Sequence, residues 1–170
     1  LVVSGASVET KTYAVVNKIV ESAGTGYTQR IVGFVDGVAN DALYADGVGT
    51  ATSGAIGVVQ LFEVKKNASD VVTALTAAGT SIASENSLTG SSTYASGIVK
   101  YDTTGLTNQA LTLADNVIVY TWDKDNNAWT VGSAIDLQGL TSGDAFEAFH
   151  VTTGTGVDPD VAEIVFVSKN

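Results

Sequence analysis

A chain of 170 residues with 8 Lys and Arg against 18 Asp and Glu has a formal charge of -10. That balance argues against nucleic acid and against an anionic membrane surface, both of which call for a basic face. Cysteine is absent, so a disulfide framework or a thiolate-ligated metal is excluded, and no apolar run approaches the roughly 20 residues of a membrane helix.

Methionine is absent too, and position 1 is Leu. The reading therefore expects that an upstream segment has been removed, a cleaved secretory signal being one candidate. Gly, Ala, Ser, Thr and Val dominate, charged residues make up 15%, and there is a single Pro. Val- and Thr-rich runs punctuated by Gly-containing turns predict an all-β chain, and this composition suits an extracellular structural protein.

Residues 12–22, TYAVVNKIVES, predict a strand closed by the turn AGTG. In 27–37, Gln29, Ile31 and Gly33 alternate with Arg30, Val32 and Phe34, and Asp36-Gly37 signals a hairpin whose return strand is 38–47. Residues 54–64 predict a fourth strand, and 70–77 a fifth. The small, polar stretch over 78–93, with isolated Ile82 and Leu88, predicts a connection.

The pattern then restarts. Residues 95–105 predict a strand and turn, 109–114 a short strand, and NVIVYTW with AWTVG, within 116–132, a hairpin. Ser133 followed by Asp136 predicts a capped helical turn over 133–140. Residues 144–151 and 161–169 predict two closing strands around TTGTGVDPD.

Residues 54–76 and 143–167 share one order of features: a Gly-containing lead, a strand, a polar turn and a second Val- and Ala-rich strand. An internal duplication follows as the expectation, in units of roughly 70 to 80 residues. The predicted layout is two related small β-barrels or sandwiches: a first unit over 1–77 with an N-terminal extension, a connection over 78–94 and a second unit over 95–170. Residues 12–77 and 95–168 should then superpose strand for strand.

In residues 116–167 an aliphatic-aromatic strand leads into an Asp-rich turn, then Trp129 to Gly132, Ser142-Gly143-Asp144, and Val157-Asp158 through Val167. This order resembles the C-terminal β-barrel region of S-layer and related surface proteins of Gram-positive bacteria. Phe146 and Phe149 stand where that family has plain aliphatics, and no S-layer-homology anchoring sequence accompanies the match. The resemblance implies an extracellular structural role at a cell surface, with cell-wall polysaccharide as a partner besides copies of the chain itself.

Few residues carry chemistry. The acidic run Asp123 to Asn127 starts like a calcium loop, but the sixth and twelfth positions are Ala128 and Ala134 where a helical calcium loop needs Gly and Glu. Asp and Asn favour turns through local hydrogen bonds, so a hairpin tip is the expected structure. Calcium candidates remain at Asp36 and Asp41, and at Asp158 and Asp160, with solvated turns as the alternative. No other cofactor is expected.

His150, the single histidine, lies inside a β-run with no Gly-x-Ser-x-Gly elbow, so a strand histidine without a catalytic role is expected. The Gly-rich run 47–57 lacks the Lys of a phosphate loop and reads as a plain loop. Trp122 and Trp129 flank the hairpin tip, where they could form a cross-strand pair or a platform for sugars.

Two features point to function by contact. Val117 and Val119 face one side of their strand while Ile118, Tyr120 and Trp122 face the other, so both faces need cover. In the N-terminal extension, Leu1, Val2, Val3 and Val8 form an apolar, β-prone segment suited to strand addition. The expectation is a non-enzymatic, self-assembling surface-layer or filament protein, with a carbohydrate-binding or adhesive module as the alternative. Exposed, coplanar Trp122 and Trp129 would favour the latter.

Overall fold

The computed structural model describes residues 11–21, 26–153 and 157–170. The chain is all-β, as its composition predicts. The strands are β1 (Tyr13–Glu21), β2 (Gln29–Val35), β3 (Val38–Ala45), β4 (Phe62–Lys66), β5 (Val72–Ala77), β6 (Thr80–Glu85), β7 (Leu88–Ala95), β8 (Ile98–Thr103), β9 (Leu106–Asp123), β10 (Ala128–Val131), β11 (Ala145–His150) and β12 (Val161–Ser168). No helix among the described residues is long and apolar enough to cross a membrane.

The first five strands close into a barrel in the order β1-β2-β3-β5-β4. The predicted Asp36-Gly37 hairpin is present, with Val35 opposite Val38 and both turn residues at positive φ, 46° and 82°. Closure is achieved by one parallel contact between Ala45 and Val72. Ala14, Val16, Ile31, Leu43, Phe62, Val64 and Val72 fill the interior. The Gly-rich run is indeed a loop, and its Val48 and Ala51 pack against that core. Its buried Ser53 accepts the Val16 amide at 2.8 Å and donates to the Gln60 carbonyl. The predicted fourth strand is shorter than expected: residues 54–61 belong to this loop, and the strand begins at Phe62.

The remaining seven strands form an open, curled sheet in the order β6-β11-β12-β9-β8-β7, with β10 paired to β9. Two expectations are corrected here. Residues 78–94 are not a connection, since they supply β6 and most of β7, the two outermost strands of that path. Their Ser and Thr content hid them, because edge strands bury too little apolar surface to show strong alternation. The two sheets also differ in strand number, order and closure, so residues 12–77 and 95–168 do not correspond strand for strand. The similar local grammar of 54–76 and 143–167 reflects repeated strand-turn chemistry.

Residues 109–114 and 116–122 are not separate strands either. They run together in the 18-residue β9, whose parallel pairing with β12 skips from Leu113 to Ile118. The predicted capped turn is a 3-10 turn, Ala134–Leu137, with the Asp136 carboxylate accepting the Ser133 amide at 2.8 Å. This segment closes one side of the curled sheet. Leu137 and Leu140 fill its concave face, and buried Ser92 of β7 clasps them by donating to the Leu137 carbonyl and accepting the Leu140 amide.

The strands that are apolar on both sides find both partners within the chain. Val119, Val165 and Val167 enter the concave core. Tyr120, Ile164 and Phe166 point the other way and meet Val15 and Leu61 of the barrel, together with Trp129 and Phe149. This aromatic seam joins barrel to sheet. Tyr120 and Phe166 stack at 5.2 Å, and Trp129 and Phe149 present edges to Phe166 at 4.8 and 5.6 Å.

Candidate functional site

The residues singled out from the sequence do not converge on one place. Trp122 and Trp129 are directly opposed across the β9–β10 hairpin, with ring centroids 5.0 Å apart and planes at 63°. Trp129 is 1% exposed, and its indole N–H donates to the Gly54 carbonyl at 2.9 Å. The pair is therefore a cross-strand contact within the seam. The coplanar, exposed platform that sugar stacking requires is not formed.

The acidic run at the hairpin tip is a turn. The Asp123 carboxylate accepts the amides of Asp125 and Asn126 and the side-chain amide of Asn126, and these bonds hold it below the usual carboxylate range. Asp36 accepts the Tyr13 amide at 3.0 Å, and Asp158 accepts the Asp160 amide at 3.0 Å. Asp41 is exposed on β3. Among the described residues no three Asp, Glu or His side chains gather as a metal cage.

His150 ends β11, where its Nδ1 lies 3.1 Å from the Val161 carbonyl and 3.2 Å from Glu163 Oε2. Both neighbours are acceptors, so Nδ1 carries a proton. Glu163 also accepts the amides of Val151 and Thr152, at 2.8 Å each, and the Thr152 hydroxyl. Burial pushes the Glu163 carboxyl up, but the Thr152 and Val151 bonds and the proximity of His150 outweigh it and hold it below its ordinary value. The cluster ties the end of β11 to β12.

Strand edges are the more informative feature. The outer edge of β7 is covered where Ser92 exchanges backbone bonds with Gly139 and Leu140. At β10, the side chain of Asn17 covers the edge by bonding both backbone groups of Trp129. β6 differs. Among the described residues it pairs with β11 alone. Its sequence, TSIASE, contains no Pro or Lys, and Glu85 at its end is its one charged residue.

Between residues 57–61, residues 77–79 and β11 lies a crevice of about 530 Å³, lined by Val58, Val59, Leu61, Gly79, Glu147 and Phe149 among others. Val58 is 60% exposed and Val59 44%, although both are apolar. The crevice is tightly walled at Gly79, where a Cβ would come 2.8 Å from the Phe149 ring. A strand that, among the described residues, is paired on one side only is the arrangement that accepts an added strand.

Sequence reading missed this edge because it took residues 78–93 for a connection. A signal was available: the polar cluster Glu85-Asn86-Ser87 separates the short runs around Ile82 and Leu88, and Ser96-Gly97 marks a second hairpin turn. The predicted assembly residues Leu1, Val2, Val3 and Val8 lie outside the described residues. No family model, curated protein or solved structure matches this chain.

Proposed function

We propose that this chain is a non-enzymatic structural protein that self-associates into an extracellular surface layer or filament. The observation behind this reading is β6, which among the described residues pairs with β11 alone, in a chain that also exposes the apolar Val58 and Val59. Soluble monomers usually protect such edges, because an unpaired ladder is a template for another strand. Other outer strands of this sheet are covered by the same chain at Ser92 of β7 and at Trp129 of β10, and no such cover of β6 is found among the described residues. The cysteine-free, small-residue-rich composition and the likeness of residues 116–167 to surface-layer proteins support an extracellular location.

The carbohydrate-binding alternative loses its aromatic platform with Trp129 buried. Light scattering on the purified protein over a range of concentrations, followed by electron microscopy, tests the assembly reading. Polymers or sheets with a regular repeat are expected. A monomer at every concentration would refute it.

A further inference from the structure

We propose that a break in the ladder along β9 is a binding pocket for a neutral sugar, with Tyr94 as its stacking face and Asp115 as its hydrogen-bonding anchor. The site is separate from the Trp122–Trp129 pair and does not depend on the assembly reading.

The register of β9 creates the break. Thr112 has Val161 on one side and Ile98 on the other, while Thr121 has Val167 and Thr130. β8 and β10 therefore follow one another along the same edge of β9. The Leu113 amide donates to the Gly97 carbonyl at one end of the break, and the Gly132 amide donates to the Val119 carbonyl at the other, both at 2.8 Å. Between those bonds no strand among the described residues pairs with this edge. On the opposite edge the pairing with β12 skips from Leu113 to Ile118, a bulge of the kind that recurs beside binding sites.

A pocket of about 410 Å³ occupies the break, within the ~300–1,000 Å³ of small-ligand sites. Its walls are the Ser96-Gly97 turn between β7 and β8, residues 113–117 of β9, and the segment after β10. Both ends are closed by the bonds above, so an added strand has no path along the edge and the occupant is compact. The floor is apolar, because Tyr94, Val117 and Ala134 are partly buried against the concave core. Such packing fixes the Tyr94 ring before a ligand arrives, which lowers the ordering cost of binding.

The polar groups select the ligand. The side chains of Tyr94, Ser96 and Asp115 bond no other described residue, and no buried side-chain oxygen among the described residues is left without a partner. Their oxygens are therefore open to solvent in the pocket that they line. No Lys, Arg or His lines it, so a phosphate, a sulfate or an acidic sugar would meet only the like charge of Asp115. Asp115 is exposed, which screens its attraction for a cation. A neutral sugar answers each feature. Its C–H face covers the tyrosine ring, and its hydroxyls donate to the carboxylate and exchange bonds with the Tyr94 and Ser96 hydroxyls.

The test uses the full chain, labelled with nitrogen-15 and titrated with glucose, galactose, mannose, xylose and N-acetylglucosamine. Glucuronic acid and glucosamine serve as the anionic and cationic comparisons. At least one neutral sugar should shift the amides of residues 94–97, 113–117 and 132–134 saturably, and neither charged sugar should bind better. Asp115→Asn should weaken binding about tenfold or more, as loss of a bond to a charged acceptor does. Tyr94→Leu keeps an apolar floor without the ring and should weaken it as well. Circular dichroism checks both folds, and the exposed Asp115→Asn decides alone if Tyr94→Leu does not fold. The proposal is overturned if no neutral sugar gives saturable shifts, or if the shifts fall elsewhere. Unchanged affinity in Asp115→Asn, or tighter binding of either charged sugar, would also overturn it.

Discussion

The side chain of Asn17 acts as a strand partner for Trp129. Its Nδ2 donates to the Trp129 carbonyl and its Oδ1 accepts the Trp129 N–H, both at 2.8 Å. Asn17 can do this because β1 bulges there: the pairing of β1 with β2 shifts between Val16 and Lys18 and leaves Asn17 unpaired in the ladder. A bulge re-aims one residue, and here the residue is turned toward the second sheet.

Replacing Asn17 by Ala should cost about 1–3 kcal/mol, since both backbone groups of Trp129 lose their partner. Urea unfolding followed by tryptophan fluorescence measures this, because Trp129 reports on the seam. An unchanged midpoint would mean that water replaces the amide without loss.

The same bulge constrains β2. A Cβ on Gly33 would overlap the Val15 carbonyl oxygen and press on the Asn17 amide, both backbone atoms that cannot swing aside. Gly33→Ala should therefore destabilise the chain by about 1–3 kcal/mol or more, as overpacking of a closed site does. Thermal unfolding of this variant beside wild type would show it, and equal melting temperatures would contradict the steric account.

Glu163 predicts the acid limit. Its carboxyl is held below the ordinary value of 4.5, so the folded chain favours the ionised form more than the unfolded chain does. That contribution is present above pH 4.5 and is lost as pH falls through the folded-state value. Glu163→Gln should be less stable at neutral pH and show a shallower loss in acid. Denaturant midpoints across the acid range measure both slopes, and parallel curves would assign the acid sensitivity elsewhere.

Tyr120 predicts the alkaline limit. Burial in the seam pushes its hydroxyl up from 10.0 to about 12, against the opposing effect of the Gly37 amide that donates to it at 3.1 Å. Because the folded-state value is the higher one, its contribution is full below pH 10 and disappears as pH rises through about 12. Tyr120→Phe should lose about 1 kcal/mol at neutral pH, where the Gly37 amide loses its acceptor, and should flatten the alkaline decline. Equal alkaline slopes for the two proteins would exclude Tyr120 as the cause.

Local chemistry was legible in the sequence wherever neighbours along the chain decide the outcome. The Asp36-Gly37 turn, the Asp123–Asn127 hairpin tip, the Ser133–Asp136 turn and the two-sided apolar pattern of Val117 to Trp122 all follow from residues within a few positions of one another. Partners distant in sequence were decided by the tertiary structure. The second apolar face of β9 needed cover on either account, but only the fold shows that the cover is the chain's own barrel, 112 residues from Trp129 in the case of Asn17. The role of residues 78–94 was hidden for the same reason. A strand of Ser, Thr and Ala such as β6 is a strand because β11 pairs with its backbone, and backbone hydrogen bonding leaves little mark on side-chain composition.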